Sequence, residues 1–270
     1  IGVTAGGIIA SSWGWKHAFG LVAIPGLLIA ILFLFVKDYK TVALSKVDET
    51  NNKIRMEKKD IAKEFLKKPS VIFTYFAMTA IVFVTTALLV WLPKFFQVTS
   101  GMDPKKAGSL AGAVMMLALV GAPLGGYIID RWRKTMPTAR MIYPAISTLL
   151  SALLLFLALY VFRGTLQLVT LFIFGIFIMQ FISGAAAVTQ DVIHPGLRAT
   201  SYAIAVLVQN LLGSFTAPIA LGRISDLTNI QTAVSILPFS LLLGGLLFLI
   251  GARYYIKDLK KVAPVTLEAE

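Results

Sequence analysis

Long apolar runs dominate the sequence and decide what it can fold into. Seven of them, at Phe19–Val36, Val71–Leu92, Gly108–Ile129, Met141–Phe162, Leu168–Thr189, Ala199–Gly222 and Ala233–Tyr255, are 18 to 24 residues long, and none contains an acidic residue. About 20 apolar residues cross the hydrocarbon core of a bilayer as a helix. Prolines within the runs (Pro25, Pro123, Pro144, Pro218 and Pro238) are compatible with that reading, because lipid offers the backbone few alternatives and neighbouring helices re-satisfy the freed groups. The expected fold class is an all-α polytopic membrane protein.

Composition agrees. Hydrophobic residues make up 57% of the chain and charged residues 14%, with a mean hydropathy of +0.82. A soluble domain runs at about 45–50% apolar and about 25% charged, so lipid must serve as solvent for much of this chain. The opening IGVTAGGIIA lacks a basic segment and a cleavage site. It reads as the last turns of a hydrophobic helix that begins upstream, so a truncated N-terminus is expected. Cysteine is absent, which removes disulfides, thiolate nucleophiles and Cys-ligated metals.

A net charge of +12 would suit nucleic acid, but the placement of the charges points elsewhere. Nineteen of the 25 Lys and Arg residues fall in alternate loops: the 37–69 connection, the 130–140 turn, Arg198 and the segment from Arg253 to Lys261. The remaining six (Lys16, Lys94, Lys105, Lys106, Arg163, Arg223) fall on the other side. By the positive-inside rule the richer side is cytoplasmic. The expectation is a multi-pass protein of the cell (inner) membrane with a cytoplasmic C-terminus and no nucleic-acid partner.

The 37–69 connection is the one long, mixed-charge break and the natural boundary between two helical bundles. Its second half, NKIRMEKKDIAKEFLKKP, puts Ile54, Ile61 and Phe65 on one helical face among lysines. That pattern suits a helix lying on cytoplasmic headgroups; a solvated tether with some helicity is the alternative. Pro69 suits the first turn of the following span.

WGWKHAF, the IPG-containing run after it, the long basic connection and GGYIIDRWRK together resemble the major facilitator superfamily. The last segment is similar to the second-half copy of that family's loop motif, G-x-x-x-D-R-x-G-x-R/K-R/K. Gly126, Asp130 and Arg131 match it, Arg133 replaces the later Gly, and Thr135 and Met136 stand where the final basic pair belongs. VWLPKFF and IHPGLRATSYAIAVLVQNLLGSFTAPIALGRISD resemble the bacterial spinster-like and organic-anion branches. The resemblance implies a major-facilitator-type bundle divided as follows: 1–36, the end of the N-terminal six-helix bundle (the tail of helix five and helix six); 37–69, a cytoplasmic linker with an amphipathic helix; 70–256, the C-terminal six-helix bundle; 257–270, a cytoplasmic tail. It also implies a latch role for Gly126, Asp130 and Arg131, whose charge pairs break and reform as the bundles rock.

Carriers of such folds bind substrate near the midplane, between repeats. Polar or aromatic residues at helical spacing inside apolar spans are therefore the cavity candidates: Tyr75, Thr79 and Trp91; Gln180 and Ser183; Tyr202, Gln209 and Asn210. Each has a plainer reading. Small residues and amides pack helices, which is the simpler account of Gly108/Gly112, Gly121/Gly125, Ser183 and Gly184. The amides of Gln180, Gln209 and Asn210 fit either role, since an amide in hydrocarbon needs a partner or water. Tyr75, Tyr202 and Trp91 compete with interfacial anchoring. Asp191 and Arg198 flank the IHPG turn and are expected to pair. No span carries a central acid, base or histidine, so a titratable group at the midplane must come from helices upstream. His17 and His194 form neither a metal site nor a catalytic base, and no cofactor is expected.

The resulting reading is secondary active transport of a small solute by alternating access, with an organic anion or related metabolite coupled to an ion or proton gradient. A lipid-like amphiphile is the alternative substrate. A membrane-embedded enzyme would need clustered His, Asp/Glu or an activated Ser at membrane depth, and a receptor built on a carrier scaffold is the third possibility. Expected partners are the substrate, a coupling proton or ion, the bilayer, and the missing N-terminal helices of the same chain.

Overall fold

The computed structural model describes residues 14–36, 45–47, 53–55 and 58–262. The expected helix tail at 1–13, much of the 37–69 connection and the end of the C-terminal tail lie outside the described residues. The chain divides after Thr41 into two compact units.

The first unit contains α1 (Trp15–Phe33), which carries Pro25 internally. It overlaps the predicted span at Phe19–Val36, and its last residues leave Leu32, Phe33, Leu34 and Phe35 largely exposed. A helix this apolar on its surface needs lipid or another helix against it.

The second unit opens with a small hairpin, β1 (Ser45–Val47) and β2 (Lys53–Arg55), which pair antiparallel with Lys46 opposite Ile54. It is followed by α2 (Lys58–Leu66). Here the structure corrects the expected amphipathic helix. Ile54 lies on a strand, and the helix begins only at Lys58. Ile61 and Phe65 are half-buried against the core of the bundle, so protein takes up this apolar face. A nine-residue helix is too short to persist without such packing.

Six membrane-length helices complete the unit: α3 (Pro69–Ser100), α4 (Pro104–Arg133), α5 (Ala139–Val161), α6 (Gly164–Asp191), α7 (Pro195–Leu227) and α8 (Ile230–Lys260). They coincide with the six predicted spans of this region. Local signals set their ends. Pro69 and Pro104 occupy first-turn positions, where the missing N–H costs nothing. Gly101, at φ 60°, supplies the left-handed residue that ends α3. Asn229 caps α8 by accepting from Thr232 N at 2.8 Å.

Turns at the basic end join α4 to α5 and α6 to α7, and α3 begins and α8 finishes there. The helices thus run alternately up and down. α8 packs most extensively against α3 and α5, and the core there includes Phe174, Phe181, Phe248 and Tyr255, all nearly inaccessible. The most apolar windows of α4 and α7 are only 22% buried, against 44–50% in the other four spans. These two helices show most of their surface to whatever surrounds the bundle.

Candidate functional site

Five of the six spans depart from a continuous α-helix: α4 turns at Leu117 and α8 at Ile236, and the other three carry longer irregular turns. α7 carries a π-helical turn at Asn210–Ser214, close to its centre. α6 breaks between Phe177 and Ile182, which separates its two helical pieces. α5 ends in a π turn at Leu157–Val161. Such turns leave helix carbonyls and amides free for other partners and often mark functional positions.

The α3–α7 seam gathers the first group of candidates. Tyr75 is buried; its hydroxyl donates to Ser201 O at 3.0 Å and lies 2.8 Å from Ser201 Oγ. Ser201 Oγ in turn donates to Thr189 O of α6. Tyr75 is therefore an interhelical tie between three spans, and the interfacial-anchor alternative fails for it. Thr79 Oγ1 donates back to Tyr75 O at 2.8 Å, which leaves the Thr79 carbonyl against Gly213. A Cβ at Gly213 would sit 2.9 Å from that oxygen, so only glycine allows this approach. Thr86 Oγ1 donates to Ser214 Oγ at 3.2 Å. Asn210 is exposed and donates from Nδ2 to Val206 O at 2.8 Å within its own helix. Gln209 and Tyr202 are half-buried on the same helix. Trp91 is half-buried beside Gly222, and its indole N–H has no hydrogen-bond partner among the described residues.

The α4–α6 seam gathers the second group. A Cβ added at Gly121 would collide with Ile176 O, and one added at Gly125 with Gln180 O. Two backbones thus touch where α6 breaks. Gly126 stands opposite Ser183 Oγ, so this motif glycine packs against a cavity candidate, although Ser183 is itself exposed. Gln180 is buried and accepts from the hydroxyl of Tyr143. Gly184 packs on Arg140 O and Pro144. Packing holds for Gly121, Gly125 and Gly184, whereas a Cβ at Gly108 or Gly112 meets nothing within 4 Å among the described residues.

The basic end is knitted by charge. Asp258, 1% exposed, accepts from Ser70 N at 3.0 Å and Ser70 Oγ at 2.7 Å. The last helix thereby caps the first turn of α3, whose own N-cap residue, Lys68, makes no side-chain cap. Lys68 Nζ donates to Asp258 O at 3.2 Å and lies 3.7 Å from Glu64 of α2. Burial pushes the Lys68 ammonium below its ordinary pKa, with Glu64 and Asp258 acting in the opposite direction. Asp258 Oδ1 makes no hydrogen bond among the described residues and faces Lys261 Nζ at 3.6 Å. Asp191 pairs with Arg140 and accepts from Tyr255 Oη at 2.8 Å. This corrects the expected Asp191–Arg198 pair: Arg198 opens the regular α-helical part of α7 after its first turn, Pro195–Leu197, and is exposed. Asp130 and Arg131 are both exposed, and neither side chain has a partner among the described residues.

Sequence reasoning missed Ser201, Tyr143, Tyr255 and Asp258. Asp258 carried a signal, since an acid in the last turn of an apolar span next to lysines has to be compensated when buried. The hydroxyl ties carried none, because the partners lie 37 to 126 residues apart.

What the arrangement offers chemically is polar hydrogen bonding at two helix breaks. Among the described residues no group of His, Cys, Asp or Glu could hold a metal ion.

The comparisons with known proteins agree with this architecture. The chain is 28% identical to protein spinster homolog 1 of Xenopus tropicalis over 290 residues, covering 97% of this chain and 55% of that protein. It is 27% identical to the hexuronate transporter of Bacillus subtilis over 194 residues, 69% of this chain and 46% of that protein. The chain spans about half the length of the curated relatives it matches. Among solved structures, a bacterial homologue of the human lysosomal transporter Spinster, inward-facing and unoccupied, superimposes with a TM-score of 0.56 over 96% of this chain and 64% of that one, at 17% identity. The E. coli fucose:proton symporter gives 0.64 over 92% and 56%, also at 17% identity. The sequence pattern of the Major Facilitator Superfamily matches residues 1–218, more than half of the chain. With six apolar helices long enough to span a membrane behind that match, the chain belongs to the Major Facilitator Superfamily, as a multi-pass membrane protein related to spinster.

Proposed function

We propose that the full-length protein carries a small organic anion, or a related sugar-like metabolite, across the cell membrane by alternating access, driven by a proton or ion gradient. The observation that carries this reading is the mid-span interruption of α7 at Asn210–Ser214. Discontinuous helices near the bilayer midplane are where carriers place their substrate sites. Gln209 and Asn210 stand at this turn, and Tyr75, Thr79, Trp91 and Tyr202 lie along the neighbouring seam. Gln180 and Ser183 flank the second break, in α6. The anion preference draws on the hexuronate transporter among the relatives, and the proton on the fucose:proton symporter among the fold neighbours.

The amides and hydroxyls would orient the solute. A cation to offset a carboxylate is supplied by helices upstream of this chain, which complete the cavity wall and meet the sparsely buried faces of α4 and α7. In this reading residues 1–36 close the first bundle, 37–69 link the two on the cytoplasmic side, 70–256 form the second bundle, and 257–270 are a cytoplasmic tail. Gly126, Asp130 and Arg131 latch one conformation, with the charges of Asp130 and Arg131 available to the other bundle.

The test is uptake of radiolabelled hexuronates and other small organic acids into proteoliposomes holding the full-length protein, with and without an inward proton gradient. Asn210→Ala and Gln209→Ala should each lower uptake about tenfold, the loss expected for one hydrogen bond to a charged ligand. Gradient-dependent uptake of no organic acid, together with movement of a fluorescent amphiphile between leaflets, would replace this reading with the lipid-like substrate.

A further inference from the structure

At the end opposite the basic loops, a cavity of about 570 Å³ opens between the end of α3, the α5–α6 turn and the start of α8. Thr99, Arg163, Gln167, Gln231, Thr232 and Ser235 are among its lining residues. Its size lies in the range that holds small ligands, about 300–1,000 Å³. No acidic residue lines it.

Arg163 is held from one side only. Its Nη1 donates to Leu159 O at 2.9 Å and to Phe162 O at 3.1 Å, capping the carbonyls that the π turn at the end of α5 leaves free. A guanidinium carries five N–H donors. The two on Nη1 are used, while Nε and Nη2 have no partner among the described residues. That Nε/Nη2 edge is the planar fork that pairs side-on with two oxygens of a phosphate or carboxylate. Gln167, 4% exposed, is fixed by its Nε2 donating to Ala158 O at 2.7 Å, and its Oε1 has no partner among the described residues. The hydroxyls and amides of the rim add neutral hydrogen-bonding groups around a single positive charge.

Position narrows the ligand. α3 has 32 residues, about 48 Å of helix at 1.5 Å per residue, against a hydrocarbon core of about 30 Å. Thr99 and Ser100, the last two residues of α3, line the cavity, and so place it at headgroup depth or beyond. We propose that this cavity is a binding site for a phosphate-bearing group, held by the Nε/Nη2 edge of Arg163 with Thr232, Ser235 and Gln231 around it. The group is either the headgroup of an anionic phospholipid or a soluble phosphate monoester. The site is separate from the mid-span breaks and does not depend on the transport reading.

The test uses the full-length protein in detergent and counts ligands by native mass spectrometry. Phosphatidylglycerol, diacylglycerol as its phosphate-free control, and sn-glycerol 3-phosphate are titrated against the wild type, Arg163→Gln and Arg163→Lys. The expected result is that Arg163→Gln loses one tight phosphatidylglycerol equivalent, its affinity falling roughly tenfold or more, as for removal of a charge-assisted contact. Arg163→Lys, which keeps the charge without the fork, should fall in between. Diacylglycerol should show no tight equivalent that responds to either substitution. The same loss seen with glycerol 3-phosphate and not with the lipid would support the site and identify its ligand as the soluble ester. Unchanged affinity of both phosphate probes in Arg163→Gln would overturn the proposal. If Arg163→Gln does not fold, equal affinities of wild type and Arg163→Lys would overturn it instead. Because only binding is read, failure here leaves the transport reading untouched, and failure of transport leaves this site intact.

Discussion

The two ends of the six-span bundle are built differently. At the basic end, Asp258 caps α3 across the bundle, Arg140, Asp191 and Tyr255 tie α5, α6 and α8, and Tyr75, Ser201 and Thr189 tie α3, α7 and α6. At the opposite end the ties are neutral and sparser, chiefly Tyr160 to Ser235 O and Gln167 to Ala158 O, and a cavity stands open between them. The glycines of α4 follow the same gradient. Gly121 and Gly125 touch the backbone of α6, while an added Cβ at Gly108 or Gly112, nearer the open end, meets nothing within 4 Å among the described residues. Among the described residues the charged and buried interhelical ties are therefore concentrated at the basic end of the bundle.

The contrast breaks most visibly at Asp258. Asp258→Ala strips the cap from Ser70 and leaves the buried Lys68 facing fewer negative groups. The expected cost is about 3–5 kcal/mol, typical of removing one member of a buried charged set. A fall in the thermal midpoint of the purified protein would register it, and a variant as stable as wild type would mean the basic end is not held this way. Arg140→Ala should cost about 2 kcal/mol in the same measurement, because a hydrogen bond to a charged group is lost while Tyr255 still serves Asp191.

Next comes the glycine gradient. Gly125→Ala would drive a methyl into the Gln180 backbone and should destabilise by about 1–3 kcal/mol through overpacking. Gly112→Ala, measured on this chain, where nothing among the described residues lies within 4 Å of an added Cβ, should be neutral or stabilise by about 0.5–1 kcal/mol from helix propensity. Equal effects at the two positions would remove the distinction between a tight and a loose half of α4.

How far the sequence could foresee this depended on the range of the interaction. Span positions were legible because hydropathy is a local property summed over about 20 residues, and Pro69 marks the start of α3, but the ends at Ser100 and Pro104 lie beyond the apolar runs read at Val71–Leu92 and Gly108–Ile129. Gly121 and Gly125 were legible as packing glycines from their spacing, but nothing in that spacing separates them from Gly108 and Gly112, because the difference is whether α6 happens to lie opposite. Ile54 shows the limit in the linker: three positions matched a helical face, yet pairing with the 45–47 segment captured the first of them. At the candidate site, Gln180 and Tyr75 stood out as polar residues in apolar runs. Their partners, Tyr143 and Ser201, were invisible, since they depend on which faces of separate helices meet. Asp191 was singled out and given the nearest arginine in sequence, whereas the fold brings Arg140, 51 residues away.

The finest test compares two tyrosine hydroxyls that both donate at 3.0 Å to a backbone carbonyl on another helix. Tyr75 is 7% exposed and Tyr160 45%. Removing the Tyr75 hydroxyl leaves Ser201 O and Oγ without that partner in a site water does not reach, so Tyr75→Phe should cost about 1 kcal/mol. At Tyr160 water can take the place of the lost donor, and the ring, stacked on Phe156 at 4.7 Å, remains. Tyr160→Phe should therefore change stability by no more than about 0.5 kcal/mol. The bond lengths are equal, so any difference between the two variants reports burial rather than geometry. If the Tyr160 variant lost as much as the Tyr75 variant, water would be excluded at the open end too. The cavity there would then have to be filled in the working protein, and the two ends would differ in chemistry but not in tightness.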